Sequence, residues 1–235
     1  MDATRWPGIF RRGRDFFTVN ADPGHRVYGE DLVREGETEY RRWDPWRSKL
    51  AALLVLGGIP AEIPAARKFL YLGGAHGTTV SHLADLLPEG RLHVVEKSPA
   101  SFAPLLHLSE RRANVFPLLA DAQLPERYRA RVGQVDFLYQ DVAQRNQGGI
   151  FAENARAALQ PGGRGLLMLK VRSVTQSRPV RSVVAETRAE LARHGLEVVG
   201  SRELAPFSRE HWALSIRFNA GDAHRSASGS GGPGM

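Results

Sequence analysis

Apolar residues fall into short runs that alternate with segments of helical spacing. Phe69 to Leu72 is a continuous apolar run closed by Gly73 and Gly74, and behind it Val80, Leu83, Ala84 and Leu87 recur at i, i+3, i+4 and i+7, which is one face of a helix. Lys68 to Leu87 therefore predicts a strand, a glycine turn and a helix. A second strand, Arg91 to Val95, ends at Glu96; a third, Val115 to Leu119, at Ala120 and Asp121; a fourth, Val135 to Tyr139, at Gln140 and Asp141. Strands that alternate with helices build a parallel sheet, and its ligand lies beyond the carboxyl ends of the strands. The residues that close these four strands should converge on one crevice.

The pattern continues to residue 218. Ile150 to Leu159 reads as a helix, Pro161-Gly162-Gly163 as a turn, and Gly165 to Leu169 as a fifth strand ending at Lys170. Val180 to His194 carries Val180, Val183, Val184, Thr187 and Leu191 on one helical face, with Gly195 as its stop. Leu196 to Val199 is a sixth strand and the alternating stretch His211 to Phe218 a seventh. With no helical pattern between them, these two should pair antiparallel at the sheet edge.

Ahead of the first parallel strand the pattern differs. From Phe16 to Tyr40, short apolar pieces alternate with turn residues such as Asp22-Pro23-Gly24 and Tyr28-Gly29, predicting a module of two to five strands. Then Leu50, Leu53, Leu54 and Gly57 give helical spacing, with Asp44-Pro45 at the helix start and Gly57-Gly58 at its end. The expected organisation is a β-rich module over residues 1–46, an α/β domain over 47–219 and a disordered Gly/Ser-rich tail over 220–235.

Composition narrows the partners. The formal charge of +7 favours a polyanion, with nucleic acid ahead of a membrane because no basic amphipathic helix stands out. No apolar run reaches the roughly 20 residues of a bilayer span and the N-terminus has no apolar signal core, so a cytoplasmic protein is expected. The absence of cysteine excludes disulfides, thiolate zinc sites and cysteine nucleophiles, and no metal site is expected. The only lysines are Lys49, Lys68, Lys97 and Lys170. Among so many arginines, a lysine can do what arginine cannot, which is to lose its proton in a buried site.

The turn supplies the candidate chemistry. Gly73-Gly74-Ala75-His76-Gly77 followed by Thr78 and Thr79 offers glycine backbone, hydroxyls and a positive helix start to an anion. It does not spell the G-x-G-x-x-G of a nicotinamide site. A carboxylate at the turn, a ribose at Glu96 and an adenine amino group near Asp121 together describe S-adenosylmethionine.

Several blocks of the sequence resemble the fibrillarin family, the RNA 2′-O-methyltransferases guided by box C/D small RNAs. They are Val27-Tyr28-Gly29-Glu30, Arg47-Ser48-Lys49-Leu50-Ala51-Ala52, Gly77-Thr78-Thr79-Val80-Ser81-His82, Asp141-Val142-Ala143-Gln144 and Gly162-Gly163. The resemblance runs from about Phe17 to His211. It implies a Rossmann-like, seven-stranded methyltransferase fold with a small β-rich N-terminal module, using S-adenosyl-L-methionine to methylate ribose in rRNA, and in tRNA as well. It assigns the cofactor to Gly73, Ala75, Thr78, Thr79, Glu96, Lys97, Asp121, Ala122, Asp141 and Gln144, and catalysis to Lys49, Asp141, Lys170 and His211; of these Lys170 is the expected base, since a ribose hydroxyl must give up its proton and a lysine with Lys49 nearby and Asp141 to orient it can take it. The implied partners are a box C/D guide RNA with its target rRNA, a Nop-type scaffold protein and a kink-turn-binding ribosomal-type protein. The sequence departs from the family at His76, where a small residue is usual, at Lys97, where an aromatic or apolar one is, and at Val174-Thr175. The alternative is a non-catalytic RNA-binding or structural subunit that keeps the fold.

Overall fold

A computed structural model describes residues 1–60 and 62–219; the stretch expected to be a disordered tail lies outside them. The first 42 residues form strands β1 (Asp2–Ala3), β2 (Ile9–Arg12), β3 (Asp15–Val19), β4 (Leu32–Glu35) and β5 (Thr38–Arg42), an antiparallel sheet in the order β1-β2-β3-β5-β4. Helix α1 (Lys49–Val55) follows, then β6 (Lys68–Leu72), α2 (Thr78–Leu86), β7 (Arg91–Glu96), α3 (Pro99–Arg111) and β8 (Val115–Leu119). The remainder is α4 (Arg129–Val132), β9 (Val135–Gln140), α5 (Gln147–Ala158), β10 (Leu159–Lys170), α6 (Val171–Val174), α7 (Val180–Ala192), β11 (Leu196–Glu203) and β12 (His211–Phe218).

These last seven strands make a sheet in the order β11-β12-β10-β9-β6-β7-β8. Its five central and outer strands from β10 to β8 are parallel, while β12 and β11 pair antiparallel at one edge. The chain runs outward from β6 through β7 to β8, then returns to the other side of β6 to lay down β9 and β10. The order therefore switches between β6 and β9, and a doubly wound sheet opens a crevice at that point. Phe69, Tyr71, Phe137 and Tyr139 face one apolar layer and Leu70, Leu72 and Leu138 the other, so the sheet is buried on both faces.

Three expectations are corrected. Helix α1 does not start at Pro45: Asp44 closes a turn by accepting from the N–H groups of Arg47 and Ser48, and Ser48 caps the helix by accepting from Ala51 N–H at 3.3 Å. Strand β10 begins at Leu159, and Pro161-Gly162-Gly163 makes an irregularity in its pairing with β9, Gly162 lying at φ +77°. Strand β11 runs on to Glu203, four residues past its apolar run, because its backbone follows β12.

Helix α2 shows how the two sheets meet. Its expected apolar face packs on the parallel sheet, but Ser81, His82 and Asp85 on the other side are also buried, under β3 and β5. Polar side chains there need partners. Arg41 of β5, fully buried, places Nη1 2.6 Å from Asp85 and Nε 2.7 Å from Glu30, and donates to Ser81 Oγ at 2.9 Å. Arg112 reaches the second Asp85 oxygen at 3.0 Å. His82 bonds Thr18 and Tyr28, each at 2.8 Å, and stacks on Trp43 with centroids 4.9 Å apart. Burial and the nearby arginines push the His82 imidazole well below its ordinary pKa, so it is neutral. Burial works against the Glu30 carboxylate, but Arg41 and the N–H groups of Tyr28 and Val27 outweigh it and hold its pKa below the usual value.

Removing Arg41 leaves the buried Glu30 without its guanidinium and Asp85 with Arg112 alone. Arg41→Ala should cost roughly 3–5 kcal/mol, read as a shifted midpoint in urea denaturation, with Arg41→Lys recovering only part because it cannot make the bidentate contacts. A loss under about 1 kcal/mol would contradict the role given to this network.

Candidate active site

The glycine turn after β6 is shaped by packing as much as by any ligand. Gly73 lies at φ +85°, and a Cβ there would stand 2.6 Å from the Asp141 carbonyl. A Cβ on Gly74 would meet Val94 at 2.3 Å. Only Gly73 of the three turn glycines lines the crevice; Gly74 and Gly77 face β7 and α3. Ala75 is held at φ +46°, a conformation that ordinary residues rarely adopt. Its N–H donates to Glu96 Oε2 at 2.9 Å, while Ser98 N–H donates to Oε1 at 2.8 Å, so the carboxylate at the end of β7 is fixed from both sides.

Between these ends lies a cavity of about 290 Å³, walled by Gly73, Ala75, Glu96, Lys97, Ala122, Asp141 and Gln144 with the apolar Val95 and Val142. Asp121 stands beside it. Its carboxylate accepts from Gln123 N–H at 3.0 Å, from Gln144 at 3.4 Å and from Lys97 at 3.1 Å. Partial burial works against its ionisation, yet these bonds together keep its pKa below the usual carboxylate range. Lys97, 57 % exposed, is thus tied to Asp121 across the rim. Gln144 Oε1 is buried with no hydrogen-bond donor.

Thr78 and Thr79 do not line this cavity. The Thr79 hydroxyl is turned inward to Ser48 Oγ at 2.9 Å, which also accepts from Trp43 Nε1 at 3.1 Å. The expectation that both threonines offer hydroxyls to a ligand is therefore corrected for Thr79, whose hydroxyl locks the start of α1 to the start of α2. What the helix offers is its first N–H groups, which have no partner inside α2.

That lock positions Lys49. As the first residue of α1, it sets Nζ 2.8 Å from each oxygen of Asp141, the residue that follows β9 and also walls the cavity. Lys170 ends β10 directly opposite His211, the first residue of β12. The His211 ring sits 3.0 Å from both Ser208 Oγ and the Arg209 carbonyl through Nδ1. A carbonyl only accepts, so Nδ1 carries the hydrogen and Nε2 is left as an acceptor. Burial lowers the His211 pKa, the Arg209 bond and Asp141 opposing this while Lys49 and Lys170 reinforce it, so the ring is neutral near pH 7. Lys49, Asp141, Lys170 and His211 thus gather at one end of the sheet, from four different elements.

Sequence reasoning missed one glutamine, Gln147, and gave Gln140 no role beyond closing its strand. The buried Gln147 donates from Nε2 to the Lys170 carbonyl at 3.0 Å and accepts from the Lys170 N–H at 2.8 Å. Gln140 donates to the Gln147 carbonyl at 2.8 Å. Pairing of β10 with β9 stops at Leu167 and Gln140, so this side-chain amide satisfies the backbone of Lys170 where the neighbouring strand has ended. A glutamine at the start of a helix carries no periodic signal, and nothing in the sequence would have singled it out.

Searches among known proteins agree with this geometry. The family model described as Fibrillarin matches residues 2–220. A fibrillarin-like rRNA/tRNA 2′-O-methyltransferase of Aeropyrum pernix is 43 % identical over 213 residues, 88 % of this chain and 91 % of the relative. The protein of the same description from Methanothermobacter thermautotrophicus is 38 % identical over 210 residues, 89 % and 94 % of the two chains. Among solved structures, Aeropyrum pernix fibrillarin in complex with natively bound S-adenosyl-L-methionine superposes with a TM-score of 0.83 at 39 % identity, covering 92 % of this chain and 96 % of the other. A fibrillarin in complex with Nop5p gives 0.81 at 34 % identity, covering 93 % and 100 %. With a parallel sheet that switches at β6 and β9, a five-stranded N-terminal sheet and a family match over nearly its whole length, the chain belongs to the fibrillarin family.

Proposed function

We propose that the protein is an S-adenosyl-L-methionine-dependent RNA 2′-O-methyltransferase that acts on rRNA and tRNA within a box C/D guide ribonucleoprotein. The observation that carries this reading is the double role of Asp141, which walls the cavity and meets Lys49 Nζ at 2.8 Å beside Lys170 and His211. Relatives 38 % and 43 % identical with the described activity support it, as does the cofactor bound in the Aeropyrum pernix structure. The complex of a related fibrillarin with Nop5p supports a Nop-type scaffold as partner. A kink-turn-binding protein and a guide RNA complete the assembly in this reading, and the formal charge of +7 suits the RNA.

The cavity suits the cofactor's adenosine half. Glu96, Asp121 and the unpartnered Gln144 Oε1 are acceptors for hydroxyl and amino donors, while Val95, Ala122 and Val142 give flat apolar walls. Gly73, Ala75 and the N–H groups of Thr78 and Thr79 would hold the methionine end. Bound there, the cofactor supplies an electrophilic methyl group with a good leaving group already attached.

The chain's own residues then align a ribose hydroxyl and take its proton. Lys49 neutralises Asp141 and fixes its direction, so the carboxylate orients the amine of Lys170 rather than swinging into the cavity. Lys170 takes the hydroxyl proton as general base. Gln147 holds the backbone of Lys170 from both sides and so sets where that amine stands. The neutral ring of His211, opposite Lys170, adds no further cation beside that amine.

Calorimetric titration with S-adenosyl-L-methionine should give binding in the wild type that is weakened at least tenfold by Asp121→Ala; equal affinities would remove Asp121 from the site. Lys170→Ala should lower methyl transfer to a guided target by on the order of 10²-fold or more while cofactor affinity stays within a few-fold. Unchanged turnover would reject Lys170 as the base. By NMR, the His211 imidazole should titrate below pH 6.5 and move upward in Lys49→Met, because a cation that opposes its protonation is gone. A midpoint at or above 6.5 in the wild type would count against the neutral role.

A further inference from the structure

One aromatic pair beside the basic cluster belongs neither to the core nor to the cavity wall. Trp46 is 62 % exposed, yet its ring meets the half-buried Phe207 edge to face, with centroids 4.9 Å apart and planes at 68°. Its backbone is fixed as well, the N–H donating to Asp44 Oδ1 at 2.9 Å. The two rings come from separate segments that each lead into the cluster. Trp46 precedes Lys49 by three residues; Phe207 precedes His211 by four, and its neighbour Ser208 bonds the His211 imidazole. The aromatic contact therefore joins the segments that carry Lys49 and His211. An exposed arginine accompanies each segment, Arg47 next to Trp46 and Arg209 two residues past Phe207.

Leaving so large an apolar ring in water is unfavourable, and a fixed, exposed indole presents a preformed π-face to a second ring. The neighbouring charges select its kind. A fixed ring whose segment and its partner's each carry an exposed arginine matches a nucleobase and its phosphate backbone, since every base has a π-face and every phosphate an anionic oxygen. The inference rests on the reading that the methyl acceptor is a ribose: with that ribose at Lys170, the adjoining nucleotide must lie over the surface just outside Lys49 and His211, where the pair stands.

We propose that Trp46, buttressed by Phe207, is a stacking platform for a nucleobase flanking the methylated nucleotide, with the exposed Arg47 and Arg209 receiving neighbouring phosphates. It acts by positioning the RNA, not by chemistry on it, and it reads no base identity.

The test uses the guide complex reconstituted with its partner proteins, and single-turnover methylation at varied target concentration. Trp46→Ala should raise the target concentration for half-maximal rate by roughly 5- to 140-fold, the equivalent of about 1–3 kcal/mol for one base stack at 1.4 kcal/mol per tenfold. Trp46→Phe should retain most of the affinity, and cofactor binding should be the same in all three proteins. A target made abasic at one nucleotide beside the methylated one should reproduce the loss in the wild type and add nothing further in Trp46→Ala. Unchanged target dependence in Trp46→Ala, or losses from the two changes that simply multiply, would overturn the platform. If the wild-type complex transfers no methyl group to RNA, the functional reading fails by itself. The platform is then decided by titrating the chain alone with a short single-stranded oligouridylate: weaker binding by Trp46→Ala supports it, and equal binding rejects it.

Discussion

The buried guanidinium of Arg41 is the constraint on which the other parts depend. It lies between Glu30 of the N-terminal sheet and Asp85 of α2, with no solvent to relieve any of the charges. An ion pair in such a place is justified less by net stability than by the single arrangement it permits. That arrangement fixes α2 from above as the parallel sheet fixes it from below. Because α2 begins at the glycine turn, and because Thr79 in its first turn bonds Ser48 at the cap of α1, the network sets both the cavity wall and the direction of Lys49.

At the opposite side of the crevice the constraint is of another kind. Parallel strands stop at different lengths, and β10 runs beyond the end of β9, leaving backbone groups with no strand to pair with. Gln147 supplies the missing donor and acceptor from a side chain. A backbone held that way keeps its direction as a strand would, but it leaves the space beside Lys170 open for a substrate. The site is thus built from two rigid supports, one ionic and buried, the other a side chain in place of a strand.

Much of this was legible in the sequence because apolar periodicity reports on burial. The parallel strands and α2, α5 and α7 follow from runs and spacings, and the residues closing the strands converge as expected at the switch between β6 and β9. Elements whose shape comes from elsewhere were not legible. Helix α3 carries Pro104 in its interior and buries only Leu105 and Leu108, so its face is too thin to show. The start of α1 is set by Ser48 because Trp43 and Thr79 reach it across the fold, which no local rule anticipates. Arg41 stands between Tyr40 and Arg42 and reads as one more surface charge, although it is among the most buried residues of the protein. The turn glycines were read as ligand-facing, but two of the three are required by neighbouring side chains.

The two-sided burial of α2 also bears on the order in which the chain acquires structure during synthesis. Strands β1 to β5 leave the ribosome before α2, yet they have no second layer of their own; Trp43 finds its stacking partner only at His82, and Arg41 its second carboxylate only at Asp85. A nascent chain that has not reached the end of α2 holds a half-paired guanidinium and an open indole face on a sheet one layer thick. The N-terminal sheet and the cofactor turn therefore mature as one cooperative unit. Any slowing of elongation ahead of residue 86 prolongs the interval in which the early strands are exposed to other chains.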